Sequence, residues 1–378
     1  MIKETLYYKN NYLDEFEAVV ENCIEENGKI RVILNETAFY PEGGGQPADT
    51  GFIDDIKVID VQEKENIIHH FVERKIEKGK KVKCKINFED RFSNMQSHTA
   101  EHIVSGIICR KFNSTNVGFH IGKDFVTMDF NVQIIENDLR EIEKEANRAI
   151  YKNIDVVVKL FSKEEASKLT YRSKKELNED VRLVEIPEYD ICACCGIHVN
   201  KTGEIGIIKL LKVEKYKSGV RIYMLAGEKA LNDYTQMYNQ INSISTLLSL
   251  KLNEVYTGVL HQVQEIEKLK KEKSQLKNVL IENEISNFEK QKNIIIEKEN
   301  MEMNDVKNYC TKLKEKASNI SGVVSNGKFI LMSDTINLKD VFDELKQNIN
   351  VKGGGNKLLV QGQLLDDIDK FKEIINKF

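Results

Sequence analysis

The residues best suited to chemistry in this chain are two pairs of metal-binding side chains far apart in the sequence. The segment SHTAEH holds His98 and His102, and the segment CCGIH holds Cys194 and His198. Residues four apart on a helix lie on the same face, so both histidines of the first pair can reach one point. Zinc accepts mixed cysteine and histidine ligands in tetrahedral geometry. The four residues therefore predict a site for one Zn²⁺ ion per chain.

A second interpretation of the first pair stays open. The letters HTAEH also fit the H-x-x-E-H signature of inverzincin peptidases, in which Glu101 would be the general base. Such peptidases use a carboxylate as third ligand, so Cys194 and His198 would then have no purpose. A zinc peptidase is therefore kept as an alternative. The ordinary alternative for Glu101 itself is a helix residue that faces solvent.

Two other segments are suited to a phosphate-bearing partner. One is a basic run between residues 201 and 221, and the other is the glycine-rich sequence KGGGN, whose backbone N–H groups can face a phosphate. The ordinary alternatives are a solvated strand edge that carries lysines and a tight turn. The candidate contact residues are Lys209, Lys212, Lys215, Gly353, Gly354, Gly355 and Asn356.

Composition excludes several classes of protein. With 41% hydrophobic and 31% charged residues the chain is globular, and a net charge of −4 argues against a protein that coats nucleic acid indiscriminately. The N-terminus lacks the apolar run of a signal peptide, and no segment is apolar for long enough to span a bilayer. We therefore expect a cytoplasmic protein with no membrane partner, in which the seven cysteines are thiols or metal ligands.

The elements that must position these residues predict an α+β chain of several domains. Short alternating runs and turn signals over residues 1–88 predict a small β-barrel that carries the glycine-rich loop FYPEGGGQPADTG. Residues 89–226 mix helices and strands and hold all four zinc candidates. We expect a helical coiled-coil arm over 227–319 and a small α/β domain over 320–378, in which KGGGN forms a turn.

The arm shows heptad spacing, with apolar residues at alternating intervals of four and three. A second helical run begins near Met303, and we expect the two to pair as a hairpin. Such a coil makes a homodimer plausible, through the coil or the C-terminal domain. The seam residues are Leu248, Leu252, Val255, Val259, Gln262, Ile266, Leu269, Lys273, Leu276 and Leu280.

Three motifs in this order, FYPEGGGQPADTG, SHTAEHIVSG and CCGIHVNKTGEIG, resemble the editing half of alanyl-tRNA synthetase and its free-standing AlaX relatives. The likeness covers most of the chain. The coil and the GGGN-bearing end look like the DHHA1 module of the synthetase, which points to the long form of AlaX. No class II aminoacylation domain precedes the glycine-rich loop, so we expect no charging of tRNA.

The resemblance implies an aminoacyl-tRNA deacylase that acts on Ser-tRNA(Ala) foremost and on Gly-tRNA(Ala) as a second substrate. It implies that His98, His102, Cys194 and His198 bind zinc, with Gln46 near the aminoacyl ester and Thr37 sensing a serine hydroxyl. The family usually has CGGTH, whereas here Cys195 and Ile197 replace glycine and threonine. From a different class, a non-catalytic tRNA-binding protein with a structural zinc stays an alternative.

Overall fold

The computed structural model describes residues 5–173 and 180–378. The chain divides into two compact units, 1–243 and 244–378, which are described separately. The fold is mixed α+β, as predicted. Across the described residues, no helix combines the length and the apolar character needed to cross a membrane. The finer division of the chain into four domains stays a prediction.

The first unit begins with a closed antiparallel barrel in the strand order β1-β2-β5-β4-β3-β6, so the predicted small barrel is confirmed. Alternating side chains of these strands point inwards and fill its core. The short helix α1, Leu6–Lys9, precedes the barrel, and the glycine-rich loop connects β2 to β3. The strands are β1 Glu15–Glu26, β2 Lys29–Leu34, β3 Gly51–Ile53, β4 Ile56–Lys64, β5 Ile67–Val72 and β6 Lys81–Ile86.

The barrel leads into the central helix α2, Phe88–Phe112, which is buried on all sides from Met95 to Ile108. A four-stranded sheet in the order β12-β13-β8-β7 and the helix α3 pack around it. These elements are β7 Asn116–Ile121, β8 Val126–Phe130, α3 Glu136–Lys152, β12 Ile208–Tyr216 and β13 Gly219–Ala226.

A smaller antiparallel sheet in the order β11-β10-β9 completes this part of the first unit. Its strand β11 leads directly into the CCGIH segment, so the sheet sets the position of that loop. The elements are β9 Val157–Phe161, the short helix α4 Lys163–Ala166, β10 Val181–Ile186 and β11 Asp190–Ala193. Helix α5, Gly227–Leu247, follows β13, and the division between the units lies within it.

The second unit consists of a long helix and a five-stranded sheet in the order β14-β15-β16-β18-β17. Helix α7 packs on one part of the sheet, and helices α8 and α9 pack on another. The elements are α6 Val255–Ser286, β14 Gln291–Lys298, α7 Met303–Leu313, β15 Ala317–Ser325, β16 Lys328–Met332, α8 Leu338–Asn348, β17 Val351–Gly355, β18 Leu359–Leu364 and α9 Ile368–Ile375.

The predicted helical arm over 227–319 is wrong in two places. Strand β14 interrupts it and pairs in parallel with β15, so α7 covers the sheet beside the last turns of α6 instead of forming the second arm of a hairpin. The first seam positions also lie outside α6, because the chain turns at Ser249, which has a positive φ of 53°. The regular seam therefore starts at Val255.

The glycines of KGGGN form the edge strand β17 and not the predicted turn. Gly353 and Gly355 pair with Gly362 and Val360 of β18. A Cβ at Gly353 would overlap the backbone of β18, and its φ of +152° also favours glycine. The turn itself follows at Asn356, whose side-chain oxygen accepts hydrogen bonds from the backbone N–H groups of Leu358 and Leu359.

Candidate metal centre

Helix α2 carries the first two candidate ligands into the interior of the first unit. The side chains of His98 and His102 are almost fully buried, with relative exposures of 2% and 1%. The start of the helix is fixed to the barrel by a buried ion pair between Arg91 and Asp49, in which Arg91 Nε lies 3.1 Å from Asp49 Oδ2. The backbone N–H of Tyr40 donates to the same carboxylate. The glycine-rich loop and the ligand helix are therefore held in one arrangement.

The loop that follows β11 supplies the other two ligands. Arg182 Nη1 donates to the carbonyl oxygens of Cys194 at 2.7 Å and Gly196 at 2.9 Å, which holds the loop in its bend. At Gly196 a Cβ would overlap the ring of His98. Only glycine permits the backbone to approach α2 so closely, and this contact brings Cys194 and His198 to the histidines of the helix.

The four candidate side chains meet around one point. Cys194 Sγ lies 3.4 Å from His98 Nε2 and 3.5 Å from His198 Nε2, and the ligand atoms of all four residues lie within 4.8 Å of one another. A zinc tetrahedron with nitrogen and sulfur ligands has edges of about 3.6 Å. The donor set therefore fits zinc in chemical type and in spacing.

The charges in this cluster favour the metal-binding protonation state at Cys194 and His198. At His102, in contrast, burial is outweighed by the hydrogen bonds with Asp190 and Cys194, which raise its pKa to about 10. Burial alone would raise the pKa of Cys194, but the neighbouring charges of His98 and His102 hold it well below its usual range. Burial, with the charge of His98 beside it, lowers the pKa of His198 to about 3. A thiolate and a neutral imidazole are the forms that coordinate zinc.

The glycine-rich loop contributes Gln46 to the outer layer of the site. Its side chain is fully buried, and its Oε1 accepts hydrogen bonds from His98 Nδ1 at 2.9 Å and from the backbone N–H of Ile197 at 3.3 Å. This arrangement leaves Gln46 Nε2 buried without a hydrogen-bond partner in the structure. A buried amide group in this state is suited to donate to a ligand.

Comparison with known proteins matches two family models to separate parts of the first unit. A model described as tRNA synthetases class II (A) matches residues 4–90. A model described as threonyl and alanyl tRNA synthetase second additional domain matches residues 181–223. The alanyl-tRNA editing protein AlaX-L of Pyrococcus horikoshii is 30% identical, over 96% of this chain and 94% of that protein. The chain belongs to the AlaX-L family.

Other relatives are alanine–tRNA ligases, which are longer proteins. Those of Pyrococcus abyssi and Pyrococcus furiosus are 31% and 32% identical over 98% and 99% of this chain, which corresponds to 43% of each ligase. Among solved structures, RecJ of Thermus thermophilus matches 34% of this chain and 20% of its own, with a TM-score of 0.26 and 14% identity.

Cys195 and Ile197, the two residues that depart from the CGGTH pattern of the family, differ in their exposure to solvent. Ile197 is buried and joins the hydrophobic core around α2. Cys195 is exposed, and its carbonyl oxygen accepts a hydrogen bond from Tyr8. Cys194, and not Cys195, belongs to the group of converging ligand atoms.

Glu101 lies beside the ligands and is buried, with a relative exposure of 3%. Its Oε1 accepts hydrogen bonds from Ser105 Oγ and Asn116 Nδ2, both at 2.6 Å, while its Oε2 lies 3.9 Å from His102 Nε2. The alternative of a solvent-facing helix residue is therefore wrong. The carboxylate is fixed by one oxygen and directs the other toward the ligand atoms.

Thr37 is also buried, but its hydrogen bonds stay within the barrel. His70 Nδ1 donates to the carbonyl oxygen of Val32, so the neutral ring of His70 accepts a hydrogen bond at Nε2 from Thr37 Oγ1, at 2.8 Å. The backbone N–H of Phe39 donates to the same hydroxyl oxygen. The hydroxyl of Thr37 thus already donates its hydrogen bond to His70, and this arrangement does not favour the predicted recognition of a serine hydroxyl. That role stays a prediction.

The predicted tRNA-binding residues lie in both units. In the first unit, Lys209 pairs with Glu143 of α3 at 2.8 Å, Lys212 pairs with Glu214, and Lys215 is exposed. In the second unit, residues 353–356 are exposed along β17 and the turn after it. Because Lys209 and Lys212 pair with carboxylates, Lys215 and the glycine strand are the more accessible candidates. Their role in binding stays a prediction.

Sequence reasoning missed several residues that surround the site. Asp190 Oδ2 lies 3.0 Å from His102 Nδ1, Arg172 binds the same carboxylate, and Thr99 Oγ1 lies 3.2 Å from His198 Nδ1. The period of two in a strand places Asp190 on the same face as Cys192, but this pattern does not point to its contact with His102. Arg172 and Thr99 gave no signal either.

Proposed function

We propose that this chain is an aminoacyl-tRNA deacylase that hydrolyses Ser-tRNA(Ala), with Gly-tRNA(Ala) as a second substrate and one Zn²⁺ per chain. The observation that carries the proposal is the set of four converging candidate zinc ligands, of which the three histidines are buried, beside the unpartnered amide group of Gln46. Membership of the AlaX-L family supports it, because the Pyrococcus horikoshii relative is named for alanyl-tRNA editing.

The need for such an enzyme follows from the limits of binding. A synthetase pocket shaped for alanine cannot strongly reject glycine, which is smaller, or serine, which adds only a hydroxyl. Differences of this size are worth roughly 1 to 3 kcal/mol. A second site that hydrolyses the wrong product supplies the remaining discrimination.

In the proposed reaction, water attacks the ester carbon that joins the amino acid to the terminal ribose. Zinc held by His98, His102, Cys194 and His198 would supply positive charge beside this ester. Gln46 Nε2 donates to the carbonyl oxygen while that oxygen gains negative charge. Its orientation is set in advance, because Oε1 is already held by His98 and Ile197. A donor fixed in this way stabilises the transition state without rearrangement.

Glu101 is the proposed base for the attacking water. Ser105 and Asn116 hold one carboxylate oxygen, so the other keeps a constant direction toward the ligand atoms. Its free oxygen accepts a proton from water as the water oxygen bonds to the ester carbon, and it returns this proton to the ribose oxygen as the bond between that oxygen and the ester carbon breaks. An aminoacyl ester is reactive enough that no covalent intermediate is required.

The proposed partner is tRNA(Ala), contacted by Lys209, Lys212 and Lys215 of the first unit and by the glycine strand of the second. Two of these lysines already pair with carboxylates, so a phosphate would have to replace those partners. On β17, glycines 353–355 leave a bare, exposed backbone at the edge of the sheet. Backbone N–H groups without covering side chains are suited to bind phosphate.

A second copy of this chain is the proposed partner for α6. The apolar seam of this helix is exposed along most of its length, with relative exposures between 42% and 68% at the positions named below. A soluble monomer rarely leaves such a continuous apolar stripe in water, and pairing with the same helix of another copy would bury it. The exposed seam residues are Val259, Ile266, Leu269, Leu276 and Leu280.

The two alternatives predict different results for one variant. Cys194 Sγ lies close to both His98 and His198, so a Cys194→Ser variant should lose zinc affinity and deacylation if the four-ligand site is correct. An H-x-x-E-H peptidase should tolerate this change and cleave peptides. A non-catalytic tRNA-binding protein should bind tRNA(Ala) but release no amino acid.

The test of the proposal is a deacylation assay with labelled Ser-tRNA(Ala), Gly-tRNA(Ala) and Ala-tRNA(Ala). The proposal predicts rapid release of serine, release of glycine and slow release of alanine, all without peptide cleavage. Equal rates for serine and alanine would contradict the proposed substrate. No release of any amino acid by the zinc-loaded protein would favour the binding protein.

A further inference from the structure

The three histidines of the candidate zinc site differ in the oxygen that lies next to Nδ1, the ring nitrogen on the side away from the ligand cluster. For His98 and His198 this group is a neutral oxygen, from an amide and a hydroxyl respectively. For His102 it is a carboxylate, since Asp190 Oδ2 lies 3.0 Å away. Both side chains are buried, with exposures of 1% and 6%. One of the three histidines therefore has a charged partner behind it.

Asp190 is itself held in place by Arg172. The guanidinium binds the carboxylate with two contacts, Nε to Oδ1 at 2.6 Å and Nη2 to Oδ2 at 2.7 Å. The backbone of Arg172 is fixed against β11 on both sides, through its N–H to Ile191 and its carbonyl oxygen to Ala193. Both partners of Asp190 thus approach from fixed elements, α2 on one side and the segment beside β11 on the other.

We propose that Asp190, clamped by Arg172, is a positioning residue that orients His102 with Nε2 toward the cation and strengthens it as a ligand. The proposal rests on the zinc centre of the proposed function, but it needs no assumption about the substrate. A carboxylate behind a metal-binding imidazole fixes the tautomer and the ring orientation, and it raises the basicity of the coordinating nitrogen.

The competing explanation is that Asp190 and Arg172 form an ion pair that only joins the neighbouring segment to β11. This role would affect the stability of the zinc-free protein and leave its zinc affinity unchanged. The chain offers a matched control for it, the pair of Asp129 and Arg221. That guanidinium also binds its carboxylate with two contacts, at 2.7 and 2.8 Å, but it joins β8 to β13.

The experiment measures the zinc dissociation constant of the full chain by competition with a chromogenic chelator. Asp190→Ala removes both charge and acceptor, so we expect zinc binding to weaken by about 10- to 100-fold. Asp190→Asn keeps an oxygen that can accept from His102 and should weaken it less. Arg172→Gln should give an intermediate loss, and Arg172→Lys should restore part of the affinity. Asp129→Asn should bind zinc like the wild type.

Cobalt substitution gives a second readout that a merely structural role would not change. With Co²⁺ in place of zinc, Asp190→Ala should alter the intensity of the visible ligand-field bands, whereas Asp129→Asn should not. Thermal unfolding of each zinc-free variant identifies any that fail to fold, and the mild variants Asp190→Asn and Arg172→Lys then decide the question.

Zinc affinity within about threefold of the wild type in folded Asp190→Ala would overturn the proposal, as would an equal loss in Asp129→Asn. These measurements use no tRNA. A chain that failed to deacylate Ser-tRNA(Ala) but lost zinc on replacement of Asp190 would refute the proposed function alone.

Discussion

Gln46 Oε1 accepts a hydrogen bond from His98 Nδ1 at 2.9 Å, which connects the glycine-rich loop of the barrel to the ligand helix α2. The contact is buried, and it leaves the two Nε2 protons of Gln46 unused. One side chain therefore orients a candidate zinc ligand and presents a donor beside it. The proposed mechanism depends on this double role.

Replacing Gln46 by alanine should lower the deacylation rate of Ser-tRNA(Ala) by about 100-fold or more, the usual effect of losing a donor to a developing oxyanion. Single-turnover kinetics would measure this directly. Zinc affinity should fall by a smaller factor, because His98 keeps its Nε2. Gln62, on the barrel strand β4, is the control, and Gln62→Ala should react like the wild type. An unchanged rate in Gln46→Ala would contradict the assigned role.

His70 should make the stability of the protein sensitive to acid. Burial lowers its pKa to about 4 in the folded protein, from 6.5. The unfolded chain therefore binds more protons between pH 4 and 6.5, so this stabilisation is complete above pH 6.5 and is lost as the pH falls toward 4. The loss amounts to roughly 3 kcal/mol at most.

The measurement is the free energy of unfolding in urea at several pH values, for the wild type and for His70→Asn. The variant should be less stable at neutral pH, because Thr37 loses its acceptor, and its stability should decrease less between pH 6.5 and 4. Parallel curves for both proteins would show that His70 is not buried in its neutral form.

Gly354 permits a direct test of tRNA binding by the edge strand β17. Its Cβ position is open, so a side chain there adds no clash within the sheet. Gly354→Asp should repel a phosphate backbone and weaken tRNA(Ala) binding by about tenfold, given that like charges at such contacts cost on the order of 1 kcal/mol. Filter binding at low salt would measure it. Gly354→Ala is the control for the added carbon, and equal affinity of all three proteins would remove the strand from the interface.

The exposed seam of α6 should mediate a homodimer. Ile266 and Leu269 are half-exposed, and burial of the exposed half of each side chain would contribute roughly 1 kcal/mol. The double variant Ile266→Glu/Leu269→Glu should therefore shift the protein from dimer to monomer in sedimentation equilibrium. A control that replaces Lys268 and Lys271 by glutamate changes charge outside this seam and should remain dimeric. A wild-type protein that is monomeric at high concentration would contradict the expectation.

The spacing of residues along the sequence predicted the candidate zinc ligands better than it predicted the side chains that contact them. His98 and His102 follow from the helical period, and the structure brings them to Cys194 and His198 as expected. Asp190 meets His102 only because β11 packs against α2, and no pattern within either segment contains that contact. For Glu101 the sequence left two roles open, a general base or a helix residue that faces solvent, because a charged residue is rarely buried; in the structure Ser105 and Asn116 satisfy its carboxylate inside.

The second unit shows why the helical arm was predicted incorrectly. Alternating lysine and glutamate residues continue past α6 and resemble a solvated helix, so the strand β14 was not recognised. Its consecutive β-branched residues, Ile294, Ile295 and Ile296, were the available signal. The glycines of KGGGN suggested a turn because glycine favours turns, whereas here the lack of side chains permits close pairing with Gly362 of β18.

The rate of serine release from Ser-tRNA(Ala), compared between the wild type and His98→Ala, tests the central claim most directly. His261→Ala, which removes an exposed histidine of α6, is the matched control. The account predicts rapid release by the wild type and the control, and a loss of at least 100-fold in His98→Ala together with its zinc. Release at the wild-type rate by a folded, zinc-free His98→Ala protein would contradict it.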